Sequence, residues 1–419
     1  MWGIKCIKNI ITGRPMRNFR KQSSRVFVGF IVDSLTRVRR KRVVFVTKRK
    51  VPFMGNLRIM LDALIRNGGY EIAVFKIGDI DPEFCNLMQE ANVRVMNAYN
   101  FSTLRFIYSS EVVVLSHSAR DAFIVRRKKG RRVINLWHGV ALKKIERLMS
   151  SRDARGSCQR KRLIDRNSRI YDAMVASSKV DQLVIAASFG IAYSKVHPVG
   201  LPRYDYLNSS YEWPQDLLQR RVQLEGVLAG RKFIVYAPTF RDHGIDIDDL
   251  LNETSIHLLR SFCVVNDVVL GIRPHPYQSE SLHLICDNKY LLDVSSVCYP
   301  EAASVLSLAD ALIVDYSSIW VDFLCRDLPI IGYMPDFEAY NTVDRGFIYD
   351  FEQVFPGDIF QTWDAVLNHL KRMMDGGLSV DGRRQSEFAK ALLMESIEDT
   401  ALVSQRCLDL FFSDNKEVG

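Results

Sequence analysis

Six short stretches of this 419-residue chain hold the residue types that move protons and grip phosphate: Ser116-His117, Trp137-His138-Gly139 with Lys143 and Lys144 behind it, Ser177-Ser178, Ala237-Pro-Thr-Phe-Arg-Asp242, Arg273-Pro-His-Pro276 and Asp315-Tyr-Ser-Ser318. An imidazole near its ordinary pKa of about 6.5 can take a proton at cellular pH, which makes His138 a candidate base. Gly139 lets the backbone pass close to a ligand. His275 is held still between two prolines with Arg273 just before it, a rigid cationic pair suited to a diphosphate. Arg241 offers a fork for phosphate and Asp242 can hold a ribose hydroxyl or orient the arginine, although a surface ion pair explains the two equally well. Asp315, Ser317 and Ser318 read on their own as helix-capping residues.

Each of these stretches follows a short apolar run that reads as a buried strand, and the carboxyl ends of such strands are where open α/β sheets bind ligands. Val43–Thr47, Glu71–Phe75, Val93–Met96, Glu111–Leu115, Val133–Leu136, Asp172–Val175 and Lys195–Val199 supply strands in the first half. Phe233–Tyr236, Val268–Ile272, Tyr290–Asp293, Ala311–Val314 and Pro329–Tyr333 supply them in the second. Helical spacing falls near 55–65, 82–90, 101–108, 246–262, 299–307 and 363–374. A further helix is expected after Gly139, carrying Lys143 and Lys144, and a mobile loop over 150–168. Strands alternating with helices give βαβ units and parallel sheets. The expected class is α/β, with two Rossmann-like domains facing each other across a cleft. The expected divisions are a basic lead-in at 1–22, one domain at 23–205, a second at 206–384 and a helical tail at 385–419, with the polar stretch Tyr204–Pro214 as linker.

The bulk composition narrows the partners. Lysine and arginine exceed the acidic residues by 57 to 48, a net charge of +9 that favours anionic partners. The eight cysteines form no C-x-x-C pair and suit a reducing compartment, and no His/Cys cluster has metal-ligand spacing. No apolar run approaches the ~20 residues of a spanning helix. Trp2, Ile4, Ile7 and Ile11 on one side and Lys5, Lys8, Arg14, Arg17, Arg20 and Lys21 on the other suit a helix lying on an anionic membrane surface, or else a disordered basic start. The run Arg126–Arg132 reads as a solvated loop or as a patch facing such a surface.

Taken in order, Trp137-His-Gly-Val-Ala-Leu-Lys-Lys144, Ala176-Ser-Ser178, Gly200-Leu-Pro-Arg203, Tyr236–Asp242, Arg273-Pro-His-Pro276 and Ala309–Ser318 resemble the CDP-glycerol glycerophosphotransferase family, which builds teichoic acids and related cell-surface polymers. Asp336, Tyr340 and Arg345-Gly-Phe-Ile-Tyr-Asp350 look like its downstream element. The resemblance covers about residues 111–351. It implies a GT-B fold, with the donor nucleotide in the second domain and the acceptor toward the first. The implied enzyme sits peripherally on the cytoplasmic face of the cell membrane and acts on a lipid-linked glycan or polyol-phosphate acceptor. Carried over by position, His138 resembles the general base. His275, Arg273, Ser317 and Ser318 resemble the groups that hold the CDP diphosphate, and Thr239, Arg241, Asp242 and Asp315 resemble donor-pocket residues. Gly139, Lys143, Ser116, His117 and Arg345 fall on the acceptor or supporting side.

In the implied reaction an alcohol attacks the phosphorus of CDP-glycerol or CDP-ribitol and CMP departs. Such a transfer needs alignment and charge neutralisation more than covalent chemistry. No acidic cluster compels a metal, so none is required, while Asp315 and Asp322 leave room for Mg²⁺. The competing reading on the same fold is a glycosyltransferase using a nucleotide-sugar in capsule or lipopolysaccharide synthesis. A nucleic-acid binder is the reading from another class. No RNA- or DNA-binding signature accompanies the positive charge, and nucleic acid is not an expected partner.

Overall fold

The computed structural model describes residues 22–49, 51–149, 161–162, 164–208, 210–239, 247–274, 285–343, 346–376, 380–395 and 402–413. The basic lead-in at 1–21 lies outside the described residues.

Seven parallel strands make the first sheet: β1 (Arg39–Val46), β2 (Glu71–Phe75), β3 (Arg94–Met96), β4 (Ser110–Leu115), β5 (Arg132–Asn135), β6 (Ala173–Ala176) and β7 (Val196–Pro198), in the order 3-2-1-4-5-6-7. Six parallel strands make the second: β8 (Lys232–Ala237), β9 (Val268–Ile272), β10 (Leu291–Asp293), β11 (Ala311–Val314), β12 (Ile330–Tyr333) and β13 (Ile359–Phe360), in the order 10-9-8-11-12-13. Both are doubly wound Rossmann sheets. Helices cover both faces, so the strands are buried from side to side, as β11 is at all four positions. In each sheet the chain reverses direction beside the first strand, between β1 and β4 and between β8 and β11. A crevice opens at such switch points, outside the strand carboxyl ends.

Three segments depart from the sequence expectation. Residues 140–144 are extended rather than helical. Val140, Ala141 and Leu142 are consecutive and all buried, a demand that a helix with one wet face cannot meet. The segment instead pairs with the second half. Lys143 bridges Phe347, the Lys144 N–H donates to the Gly346 carbonyl at 3.1 Å, and the Ile348 N–H donates to the Leu142 carbonyl at 2.9 Å. Within the expected mobile loop, residues 161–162 and 164–168 are helical, anchored by buried Ile164 and by a bond from Ser168 Oγ to the Ile164 carbonyl. The expected linker holds three buried tyrosines, Tyr204, Tyr206 and Tyr211, with Trp213 against Tyr206. Its Asp205 carboxylate accepts the N–H groups of Val403 and Ser404, fixing the start of the last helix, Val403–Phe411. That helix packs on Asn56–Asn67, so the end of the chain returns to the first half.

The helix Gln215–Leu228 escaped the sequence reading because Leu217, Leu224 and Leu228 are its only buried apolar positions. The two-residue strand β13 and the short helices Phe337–Val343 and Phe351–Val354 are below the length at which a pattern can repeat.

Candidate active site

The site is built from the strand ends of both sheets. In the first, β4 delivers Ser116 and His117, and β5 delivers the Trp137-His138-Gly139 turn. Asn135, at the last position of β5, ties the two together. Its Nδ2 donates to the His117 carbonyl and its Oδ1 accepts the Trp137 N–H, both at 2.9 Å. Asn56 Nδ2 donates to the carbonyls of Leu136 and Trp137, fixing the turn from the other side. Trp137 takes a φ of 55°, a conformation costly for a bulky residue and held here by those bonds.

The His138 ring stacks on His117, with centroids 4.2 Å apart and planes 7° from parallel. Its Nδ1 lies 3.0 Å from the Ser116 carbonyl oxygen. A carbonyl can only accept, so Nδ1 carries the proton and Nε2 keeps its lone pair. The ring is open to the crevice but set deep between the sheets. Loss of bulk water there pushes its pKa down to about 4. The Arg203 and Lys48 charges add to this, and the Ser116 bond opposes it. Burial also pushes His117 down to about 3, helped by His138 and Lys48, and its Nδ1 is 2.8 Å from Ser116 Oγ. Both imidazoles are therefore neutral at cellular pH.

Asp181 supports the same turn from below, accepting the N–H groups of Ser177 at 2.9 Å and Ala141 at 3.4 Å. Its own burial raises its pKa to about 6. Ser177 and Ser178, which the sequence placed among the reactive strand ends, lie away from the crevice. Ser177 bonds the Tyr204 hydroxyl, and Ser178 caps the helix Lys179–Phe189 while donating to the Leu392 carbonyl.

In the second sheet, Asp315 is fully buried and both its oxygens accept the Thr239 N–H at 2.9 Å. It lines neither crevice described below, and it braces the Thr239 turn. Tyr316 stacks on Tyr340 at 3.8 Å and donates to Asp336, drawing the downstream element against the turn. Ser317 and Ser318 are left half-buried at the start of the helix Ile319–Phe323. Arg273 is 9% exposed and its Nη1 donates to the Val294 and Tyr299 carbonyls. Burial pushes it down to about 10, against the pull of Glu301 and Asp293, and among the described residues it forms no ion pair. A desolvated cation without a carboxylate partner is primed for an anionic ligand.

The two sets of groups meet. A crevice of about 430 Å³ is lined by His138, Gly139 and Lys143 from one side and by Thr239, Arg273, Pro274, Ser317 and Ser318 from the other. Lys143 reaches over the Tyr340 ring at 5.1 Å. A larger crevice of about 1470 Å³ continues from His138 along the first half, past Ser116 and His117. At Gly139 the halves nearly touch. A Cβ there would lie 3.1 Å from Ser318 Oγ and 3.4 Å from Arg203 Nη2. Arg203 spans the gap, with Nη1 donating to the His138 carbonyl and Nη2 to Asp322 Oδ1, each at 2.8 Å. Glu301 crosses it as well, accepting the Gly55 N–H at 2.7 Å.

His275, Arg241, Asp242 and Arg345 lie outside the described residues, although Arg273 and Pro274, just before His275, line the smaller crevice. The two carboxylates considered for Mg²⁺ have other partners among the described residues. Asp315 faces Thr239 and Asp322 faces Arg203, and among the described residues no group of three His, Cys, Asp or Glu could hold one. Sequence reading missed Asn56, Asn135, Asp181 and Glu301, and gave no role to Arg203, which it held only as the end of the Gly200-Leu-Pro-Arg203 stretch. Only Asn135 carried a local signal, as an amide inside a buried apolar strand.

Comparisons with known proteins identify the family and the fold. The family described as CDP-glycerol:poly(glycerophosphate) glycerophosphotransferase matches residues 29–401. A teichoic acid poly(glycerol phosphate) polymerase of Bacillus spizizenii is 24% identical over 347 residues, covering 79% of this chain and 83% of that one. The teichoic acid ribitol-phosphate polymerase TarK of Staphylococcus aureus is 26% identical, covering 81% of this chain and 64% of that protein. A structure of the wall teichoic acid polymerase TagF superposes with a TM-score of 0.75 at 18% identity, covering 97% of this chain and 95% of that one, and establishes the GT-B-like fold. With the match spanning nearly the whole chain and both sheets, the protein belongs to the CDP-glycerol:poly(glycerophosphate) glycerophosphotransferase family.

Proposed function

We propose that the protein transfers a polyol phosphate, glycerol phosphate before ribitol phosphate, from a CDP-activated donor to a hydroxyl of a teichoic-acid-type polymer or its lipid-linked primer, releasing CMP. The observation that carries this reading is the pairing of a neutral base with a cation across the crevice. A neutral imidazole with its Nε2 lone pair available faces a buried guanidinium, which has no ion pair among the described residues, and two serine hydroxyls. The acceptor half is taken as 23–205 and the donor half as 206–384. The acceptor O–H gives its proton to His138 Nε2 as its oxygen bonds to the donor phosphorus. The bond from that phosphorus to the CMP oxygen breaks, and CMP leaves with the electron pair. Arg273, Ser317 and Ser318 offset the charge that gathers on the phosphate oxygens of the departing CMP. His275, Arg241 and Asp242 are assigned to the same donor pocket, and Lys143 and Arg345 to its acceptor-facing rim.

The relatives support this choice of donor, since their names include both glycerol-phosphate and ribitol-phosphate polymerases and primases. The reading also places the enzyme on the cytoplasmic membrane surface, held by the basic segment 1–22. The Arg126–Arg132 run contributes less than its charge suggests, because Arg126, Lys128 and Arg131 all turn inward onto Asp33. No helix among the described residues is long and apolar enough to cross a membrane.

Nucleotide release decides the donor. CMP from CDP-glycerol or CDP-ribitol in the presence of acceptor is expected, whereas UDP from a UDP-sugar and no CMP would replace this reading with a glycosyltransferase. Flotation with anionic liposomes tests attachment, and unchanged binding after removal of residues 1–22 would reject that anchor.

A further inference from the structure

The larger crevice has a cationic corner that the reaction above leaves unused. Beyond His117, on the first half only, Lys48, Arg49, Arg120 and Arg166 line it. Among the described residues, Asp121 and Glu146 are the carboxylates there, against four cations. None of the four cations is in an ion pair among the described residues. Arg120 is the most constrained, since burial and the nearby Arg166 charge lower its pKa, and its buried Nε has no hydrogen-bond partner among the described residues. Thr47, at the end of β1, is 3% exposed and lines the same corner, and its hydroxyl is also without a partner there. Like charges held together beside an orphaned hydroxyl cost free energy unless an anion joins them.

The corner adjoins the base. Ser118 and Arg120 follow His117 in the chain, His117 stacks on His138, and the Lys48 charge reaches both imidazoles. The donor contributes a single diphosphate, already placed on Arg273, Ser317 and Ser318 across the crevice. A second anion on His138's side then belongs to the other substrate. We infer that Thr47, Lys48 and Arg120 form a phosphate subsite for the acceptor, holding a phosphate group that neighbours the attacking hydroxyl. This rests on the transfer reaction proposed above. The phosphate comes either from the phosphodiester of a growing chain end or from the diphosphate joining a primer to its lipid.

The test uses the full chain. With CDP saturating the donor half, inorganic pyrophosphate is titrated by calorimetry. The wild type should bind it, and Lys48→Ala, Arg120→Ala and Thr47→Val should each weaken binding, by roughly tenfold or more for the two charge removals. Arg120→Lys should recover part of the loss. Arg39→Ala, which removes equal charge at the start of β1, should match the wild type, and melting curves check that all variants fold. No pyrophosphate binding beside CDP, or equal binding by all variants, overturns the subsite.

Competition then identifies the source. Displacement of pyrophosphate by glycerophosphoglycerol assigns the site to a chain end, displacement by a short alkyl diphosphate alone assigns it to a primer, and displacement by neither overturns the acceptor assignment. In turnover, the preference for glycerophosphoglycerol over glycerol as acceptor should fall by roughly tenfold in Arg120→Ala. Absence of CMP release from every CDP-polyol would refute the transfer reaction, and calorimetry would still report on the corner.

Discussion

The two sheets have the same winding, 3-2-1-4-5-6 with one extra strand on the first, yet their switch points are furnished in opposite ways. The first half keeps its two crevice imidazoles uncharged. His117 and His138 are stacked, desolvated and kept neutral by nearby cations. The second half keeps a charge at a nearly buried position on the crevice wall, in Arg273, and among the described residues it is bonded to carbonyls rather than to a carboxylate. One topology thus carries a stacked imidazole pair on one wall and a nearly buried guanidinium on the other. The difference lies in which side chains occupy the four or five positions after a strand, not in the scaffold.

Swapping the character of either wall should break this division. The largest effect is expected from His138→Ala, a fall in turnover of roughly 10²–10⁴ with donor binding retained. His275→Ala should fall in the same range if that residue neutralises the leaving group. Near-normal turnover in either folded variant removes that histidine from the mechanism. Arg273→Ala should follow at roughly 10²–10³ in kcat/KM, with a raised KM for the CDP donor that His138→Ala does not share. Gly139→Ala places a methyl against Ser318 and should cost on the order of tenfold, measured as kcat with both substrates saturating.

The smaller effects sharpen the comparison through pH. Wild-type kcat/KM should be flat near neutrality and decline as pH falls through about 4, where His138 becomes protonated and loses its basic lone pair. Arg203→Ala removes a cation that disfavours the imidazolium, so the His138 pKa should rise and the acid limb move to higher pH. An unmoved limb would mean that Arg203 acts on geometry alone. Asp181→Asn, with the Ser177 and Ala141 bonds weakened, is expected to lower kcat only a few-fold and to leave the position of the limb unchanged.

Much of this arrangement was legible in the chain because parallel strands buried on both faces are written as unbroken apolar runs. Glu71–Phe75, Val268–Ile272 and Ala311–Val314 have the bounds their patterns predict. The crevice followed from what stands after those runs. Residues 140–144 defeated the pattern because an apolar run between two domains is buried by its neighbours rather than by its own periodicity. Ser177-Ser178 and Ser317-Ser318 look alike in sequence, and only the path of the surrounding chain separates a helix cap from a crevice wall. Arg203, Asn56 and Asp181 act over sequence separations of 40 to 147 residues, on partners that no local window contains.

The strap at Leu142–Lys144 has a mechanical consequence. Four residues after the imidazole, the backbone is already hydrogen-bonded to a segment carried by the opposite domain. Any parting of the domains wide enough to let a spent nucleotide out must either unzip that pairing or drag the histidine turn along with it. On the transfer reaction proposed above, egress of CMP and withdrawal of His138 would then be a single movement, and a fresh donor would re-seat the imidazole as it closes the gap.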